Sequence, residues 1–213
     1  MLTINLSEIP ESRYVPRPER IELDPRKCRG EGIWDTLGMY NPHKKLIIIC
    51  DALILDEARK LTIRPELREY AELTRLEVVY PLLRELVRLH EHSHAYIHTA
   101  KIEGAPRVSG WYFKLPRDVD EPLTVFTAYQ LIEADERLVK IFEEVDKRAP
   151  SYYKRWREIM NVSNAFHGKS CIVPLVKFAR TKIWQDWNDF YSNLKSKKDD
   201  LEVEVLATRF QRR

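Results

Sequence analysis

The chain has 213 residues, 44% hydrophobic and 32% charged, with 36 Lys and Arg against 33 Asp and Glu for a net charge of +3. That composition supports a buried core and excludes a collagen-like or low-complexity chain, and its slight, evenly interleaved positive balance does not by itself point to nucleic acid. The longest apolar runs, Leu46 to Cys50 and Ala52 to Leu55, fall far short of the roughly 20 residues that a bilayer span needs. Residues 1–10 carry Glu8 and lack a basic start before an apolar stretch, so no secretion signal is visible. Cys28, Cys50 and Cys171 form an odd set without CxxC spacing or a disulfide-like rhythm, which points to a reducing, cytoplasmic setting.

Four prolines among charged residues in 1–32 predict an extended arm instead of a helix. Ile33 to Tyr40 and the β-branched run Leu46 to Cys50 flank the turn-like Asn41-Pro42-His43-Lys44-Lys45, which predicts a hairpin or two neighbouring strands. Helical signal follows near Asp56 to Lys60 and from Pro65 to about Val79, with Pro81 restarting or kinking the helix. Leu82 to Thr99 is the clearest helix, because Leu83, Leu86, Val87, His90, His94 and Ile97 recur at spacings of three and four. Two glycines and two prolines between Ala100 and Asp120 predict a loop, with Gly104 to Leu115 as a flap, before a second helix from Glu121 or Pro122 to Glu144. Residues 151–213 read as mostly helical over Tyr152 to Met160 and Val173 to Leu194, and the alternating Leu201 to Val205 reads as a strand. Trp184, Trp187 and Tyr191 recur at helical spacing as a packed face. The expected fold is α+β, mostly helical, in a single domain over 1–213 with a small strand region before the central helix.

Four of the six histidines fall in His90-Glu91-His92-Ser93-His94-Ala95-Tyr96-Ile97-His98. His90, Glu91 and His94 spell HExxH, and side chains four apart on a helix lie one turn above the other, so two imidazoles can reach one ion. Both histidines continue the apolar stripe, seven residues after Leu83 and Val87, whereas His92 joins Glu85 and Arg88 on the polar side. Glu91, about 100° round the helix from His90, is placed to take a proton from water on the metal. Zinc lowers that water's pKa toward about 7 and polarises a peptide carbonyl.

These residues resemble the zincin metallopeptidases, whose signature helix carries HExxH and whose cleft is walled by a preceding strand, here within Leu37 to Cys50. The resemblance covers about residues 34 to 145 and implies a zincin-like fold, a bound Zn2+ and peptide or unfolded-protein substrates. No glycine breaks the helix before His98, which lies about 12 Å along the axis from His90, too far for the same ion. The gluzincin pattern instead takes a glutamate from a following helix, which implies Glu121 as third ligand. Capping of that helix is the plainer role for Glu121, and Glu133, Asp120 and His167 are the alternative ligands. Tyr129, Tyr112 and His167 are the candidates for stabilising a developing oxyanion. The rival expectation is a non-enzymatic interaction or nucleic-acid-binding protein with a structural or absent metal.

Overall fold

The computed structural model describes residues 6, 9, 11–28, 32–106 and 110–210. In chain order the elements are β1 (Ser12–Arg13), β2 (Glu19–Glu22), α1 (Ile33–Leu37), β3 (Gly38–Asn41), β4 (Leu46–Cys50), α2 (Asp51–Thr62), α3 (Leu76–Thr99), β5 (Lys101–Ile102), α4 (Arg117–Ile132), α5 (Glu136–Asp146), α6 (Trp156–Val162), α7 (Ile172–Ala179), α8 (Trp187–Ser196) and α9 (Lys198–Phe210). The described chain is mostly helical with a few short strands, in line with the α+β expectation. It divides into two compact units, and one boundary falls inside α3, between Ala95 and Tyr96. No helix of the described residues is long and apolar enough to cross a membrane.

The first unit holds Arg17–Ala95 and Ile132–Pro150. Its sheet runs β2-β4-β3, with β4 parallel to β2 and antiparallel to β3. As the middle strand, β4 is covered on both sides, which explains its unbroken Ile47-Ile48-Ile49 run, all buried. The hairpin of β3 and β4 forms as expected, its turn held by Asn41 Oδ1 accepting from the Lys44 amide at 2.9 Å. Ile33–Leu37, expected to be extended, is a helical turn instead. Both the amide and the hydroxyl of Thr36 donate to the Gly32 carbonyl, at 3.0 and 2.8 Å, and this local closure outweighs the strand propensity of the segment.

Cys28 and Cys50 form a disulfide, with their Cα atoms 6.0 Å apart, which corrects the reading of the cysteines as lacking a disulfide pattern. Cys171 lies outside the disulfide and is buried, its thiol donating to the Gly168 carbonyl. Two of the three cysteines from which a reducing, cytoplasmic setting was expected are therefore paired and lend that expectation no support. Spacing could not reveal the bridge, because the pairing depends on where β4 delivers Cys50 and not on the sequence separation of 22.

The expected helix from Pro65 is also corrected. Pro65–Leu67 and Ala71–Thr74 are 3-10 turns, and α3 begins at Leu76 and runs unbroken through Pro81. Pro81, the sixth residue of α3, forfeits the backbone bond that would reach the Glu77 carbonyl. Tyr80 and Arg84 on α3 donate to Asp51 at the start of α2, at 2.8 and 3.0 Å. Up to Arg88 the buried residues of α3 keep to one side, at Val79, Leu83, Leu86 and Val87, whereas from Leu89 to Ile97 every residue is buried, so the helix enters the core over its second half.

His92, expected on a polar face, is only 2% exposed, and its Nε2 lies 2.7 Å from Glu19 Oε1 on β2. Arg88 joins Glu19 at 3.3 Å. The His92 hydrogen bond holds the Glu19 carboxyl below its ordinary value of 4.5. A folded-state value below the unfolded one adds stability that is complete above about 4.5 and is lost as pH falls through the lower, folded value. Urea midpoints measured from about pH 6 down to about pH 3 should therefore fall more steeply for the native chain than for Glu19→Gln. Parallel acid limbs for the two would remove Glu19 from the acid response.

The second unit holds the described parts of residues 5–16 and 151–213 together with Tyr96–Leu131. The arm expected over 1–32 contributes short strands: β1 pairs antiparallel with β5 here, and β2 enters the sheet of the first unit. Residues 1–5, 7, 8, 10 and 29–31 of that arm lie outside the described residues, as do 107–109 of the expected flap. The single helix expected over 121–144 is two. It breaks after Ile132, where Asp135 caps α5 by accepting from the amides of Arg137 and Leu138. Leu201 to Val205, expected as a strand, lies in α9. Leu201 and Val205 are buried one turn apart while Val203 between them is 68% exposed, which is helical and not alternating order. Trp184 and Trp187 are buried around Phe190, with Tyr191 stacked on Trp187, so the packed-face reading of that stripe agrees with the structure.

The end of α3 is held by an unusual cap. Arg180, 6% exposed and just past α7, sends Nη1 to the Ala100 carbonyl at 2.9 Å and Nη2 to the Ile97 carbonyl at 2.6 Å. Burial pushes its pKa down to about 10 and pushes that of the neighbouring Tyr96 up to about 12. The guanidinium stays charged at neutral pH and also faces the Trp111 ring at 5.5 Å.

Candidate metal centre

α3 presents His90 and His94 one turn apart, their rings edge to face with centroids 4.9 Å apart. Both are buried, as is Glu91 between them. The indole of Trp34 in α1 lies flat on the His90 ring, 5.2 Å between centroids and 17° between planes, with Phe142 of α5 beyond it at 5.8 Å. His90 is therefore fixed by ring packing on one face and by its helix on the other side.

Glu91 is seated against the first residue of β3. A Cβ on Gly38 would fall 2.8 Å from Glu91 Cγ, 2.9 Å from Glu91 Oε1 and 2.8 Å from Val87 Cγ1, all far inside contact distance. The backbone at Gly38 is extended, so space and not conformational freedom requires glycine here. Any larger residue displaces either the carboxylate or Val87.

Glu121 lies in the second turn of α4, which starts at Arg117, four residues earlier than expected. The amides of Val119 and Asp120 both bond to the Pro116 carbonyl, so the helix is already under way before Glu121. This removes the edge position on which an end-capping role rested. Glu121 is buried and pairs with Arg117 at 3.6 Å. Ligand atoms of His90, His94 and Glu121 all lie within 4.8 Å of one another. Two imidazoles and a carboxylate are a donor set that zinc accepts.

The remaining candidates stand elsewhere. Asp120 accepts from the Tyr112 hydroxyl at 3.1 Å, and the Tyr112 ring stacks on His98 at 4.4 Å. Tyr129 packs on Trp156 at 4.6 Å and, eight residues after Glu121, sits about 12 Å farther along α4. Glu133 and His167 are exposed, and the His167 carbonyl accepts from Arg209. None of these belongs to the group that converges on His90. Trp34 and Gly38 were missed by the sequence reading, whose only local signal was an aromatic residue and a glycine in a segment read as strand.

No family model, no curated protein and no solved structure matches the chain.

Proposed function

We propose that the chain is a zinc-dependent metallopeptidase that holds its ion through His90, His94 and Glu121 and uses Glu91 as general base. The observation that carries this reading is the convergence of the two imidazoles and the Glu121 carboxylate within 4.8 Å, with Glu91 the residue that follows His90 in the same HExxH turn. A zinc ion held there supplies Lewis acidity toward a carbonyl and makes water a better proton donor. Glu91 takes one proton from the attacking water as its oxygen bonds to the carbonyl carbon. It returns that proton to the amide nitrogen as the C–N bond breaks, leaving an acid and an amine with no change of redox state. A peptide substrate suits the surroundings, because β3 is an edge strand and begins at the residue that touches Glu91.

A second reading, a non-enzymatic protein with a structural metal, is favoured by one observation: His90, Glu91, His94 and Glu121 are only 2–6% exposed. Structural zinc sites are closed and catalytic ones keep an open position. One experiment separates the two. Chain purified without an affinity tag is assayed for zinc, mapped by anomalous scattering at the zinc edge, and offered a fluorogenic unfolded protein. The peptidase reading expects one ion on the three ligands and cleavage that His94→Ala abolishes together with zinc. Zinc bound without cleavage favours the structural role, and a native chain that takes up no zinc rejects both.

A further inference from the structure

We propose that the indole N–H of Trp34 is the donor that stabilises the substrate's carbonyl oxygen as negative charge builds on it, an assignment that rests on the peptidase reading above. Trp34 is 1% exposed, and its Nε1 is buried with no hydrogen-bond acceptor among the described residues. Buried tryptophan N–H groups ordinarily find a partner, and leaving one unmet destabilises the fold. An orphan donor kept inside a core calls for an explanation. Here the explanation lies one ring away, because the indole stacks on the imidazole of His90, nearly parallel to it.

Amide hydrolysis at this centre needs such a donor, since charge accumulates on an oxygen in a site from which water is excluded. The tyrosines proposed from sequence do not supply it: the Tyr112 hydroxyl donates to Asp120, and Tyr129 packs on Trp156. Trp34 has the chemistry required. Indole nitrogen only donates and carries no titratable proton in the working range, so it competes neither with His90 and His94 for an ion nor with Glu91 for a proton. Its position is set in advance by the stack on His90 and by Phe142, so little reorganisation accompanies the reaction.

The test uses the full zinc-loaded chain labelled with 15N, with the Trp34 indole resonance assigned by its loss in Trp34→Phe. A dipeptide phosphonate, which presents a tetrahedral anionic centre, is titrated in. The Trp34 indole proton should move downfield as the phosphonate saturates. In kinetics, Trp34→Phe should lower kcat about 10²-fold while KM and zinc affinity stay within about twofold, the signature of an interaction made only in the transition state. The shape of the pH–rate profile should not change, as it would if a titrating donor had been removed. Benzothienylalanine at position 34 keeps the ring shape and replaces N–H by sulfur, so it gives the same answer if the phenylalanine variant folds poorly. An unmoved indole resonance under a saturating phosphonate, or a variant that loses zinc along with activity, overturns the assignment while the peptidase reading stands. A native chain that binds zinc and cleaves nothing removes the peptidase reading, and this assignment with it.

Discussion

Glu91→Gln should lower the rate of peptide hydrolysis by about 10³-fold, equivalent to about 4 kcal/mol of barrier, while zinc stays bound at one ion per chain. Glutamine is isosteric, so it fills the seat against Gly38 and Val87 without driving either aside, and it leaves His90, His94 and Glu121 untouched. What it removes is the ability to accept the proton of the attacking water. Single-turnover cleavage of an unfolded substrate, paired with zinc analysis of the same sample, reads the two effects separately. A rate within tenfold of the native chain, at full zinc occupancy, would show that Glu91 is not the base.

The second large effect is one of stability. Arg180→Met keeps an apolar stem of similar length but leaves the Ile97 and Ala100 carbonyls at the end of α3 without the guanidinium that now serves them. Hydrogen bonds from a charged donor to buried acceptors are each worth about 1.5–3 kcal/mol, so a loss of roughly 3 kcal/mol is expected once the relief of burying a charge is set against them. It should appear as a lower urea midpoint at unchanged slope. Arg180→Lys should recover little, because a single ammonium cannot span two carbonyls as the planar fork does. A loss below about 1 kcal/mol would mean that solvent or a neighbouring group takes over the cap.

The legible parts of this protein were those written at short range. The period of Leu83, Val87, His90 and His94 placed two imidazoles on the inner face of one helix, and the run Leu46 to Cys50 announced the middle strand. Other features depend on partners far away in the chain. His92 followed Glu85 and Arg88 onto a polar face, yet it is buried because Glu19, 73 residues earlier, meets it from β2. Leu201 to Val205 satisfies a two-residue and a four-residue period at once, and only packing selects the second. Glu121 came to notice through the zincin resemblance, while the start of α4 was misplaced because Pro122 looked like a first-turn residue when Pro116 opens the helix. For Trp34 and Gly38 no local pattern foretells that residues of α1 and β3 will lie on His90 and Glu91.

The Cys28–Cys50 bridge makes a covalent ring of the segment that carries both of those residues. The solvent-facing Lys44 and Lys45 at the tip of the hairpin are natural targets for trypsin-like nicking. A cut there would open the ring without releasing either piece, since sulfur still joins them. Trp34 and Gly38 would then stay attached on one side and β4 on the other, and the clipped molecule would migrate as a single species until a thiol reductant parts its two fragments.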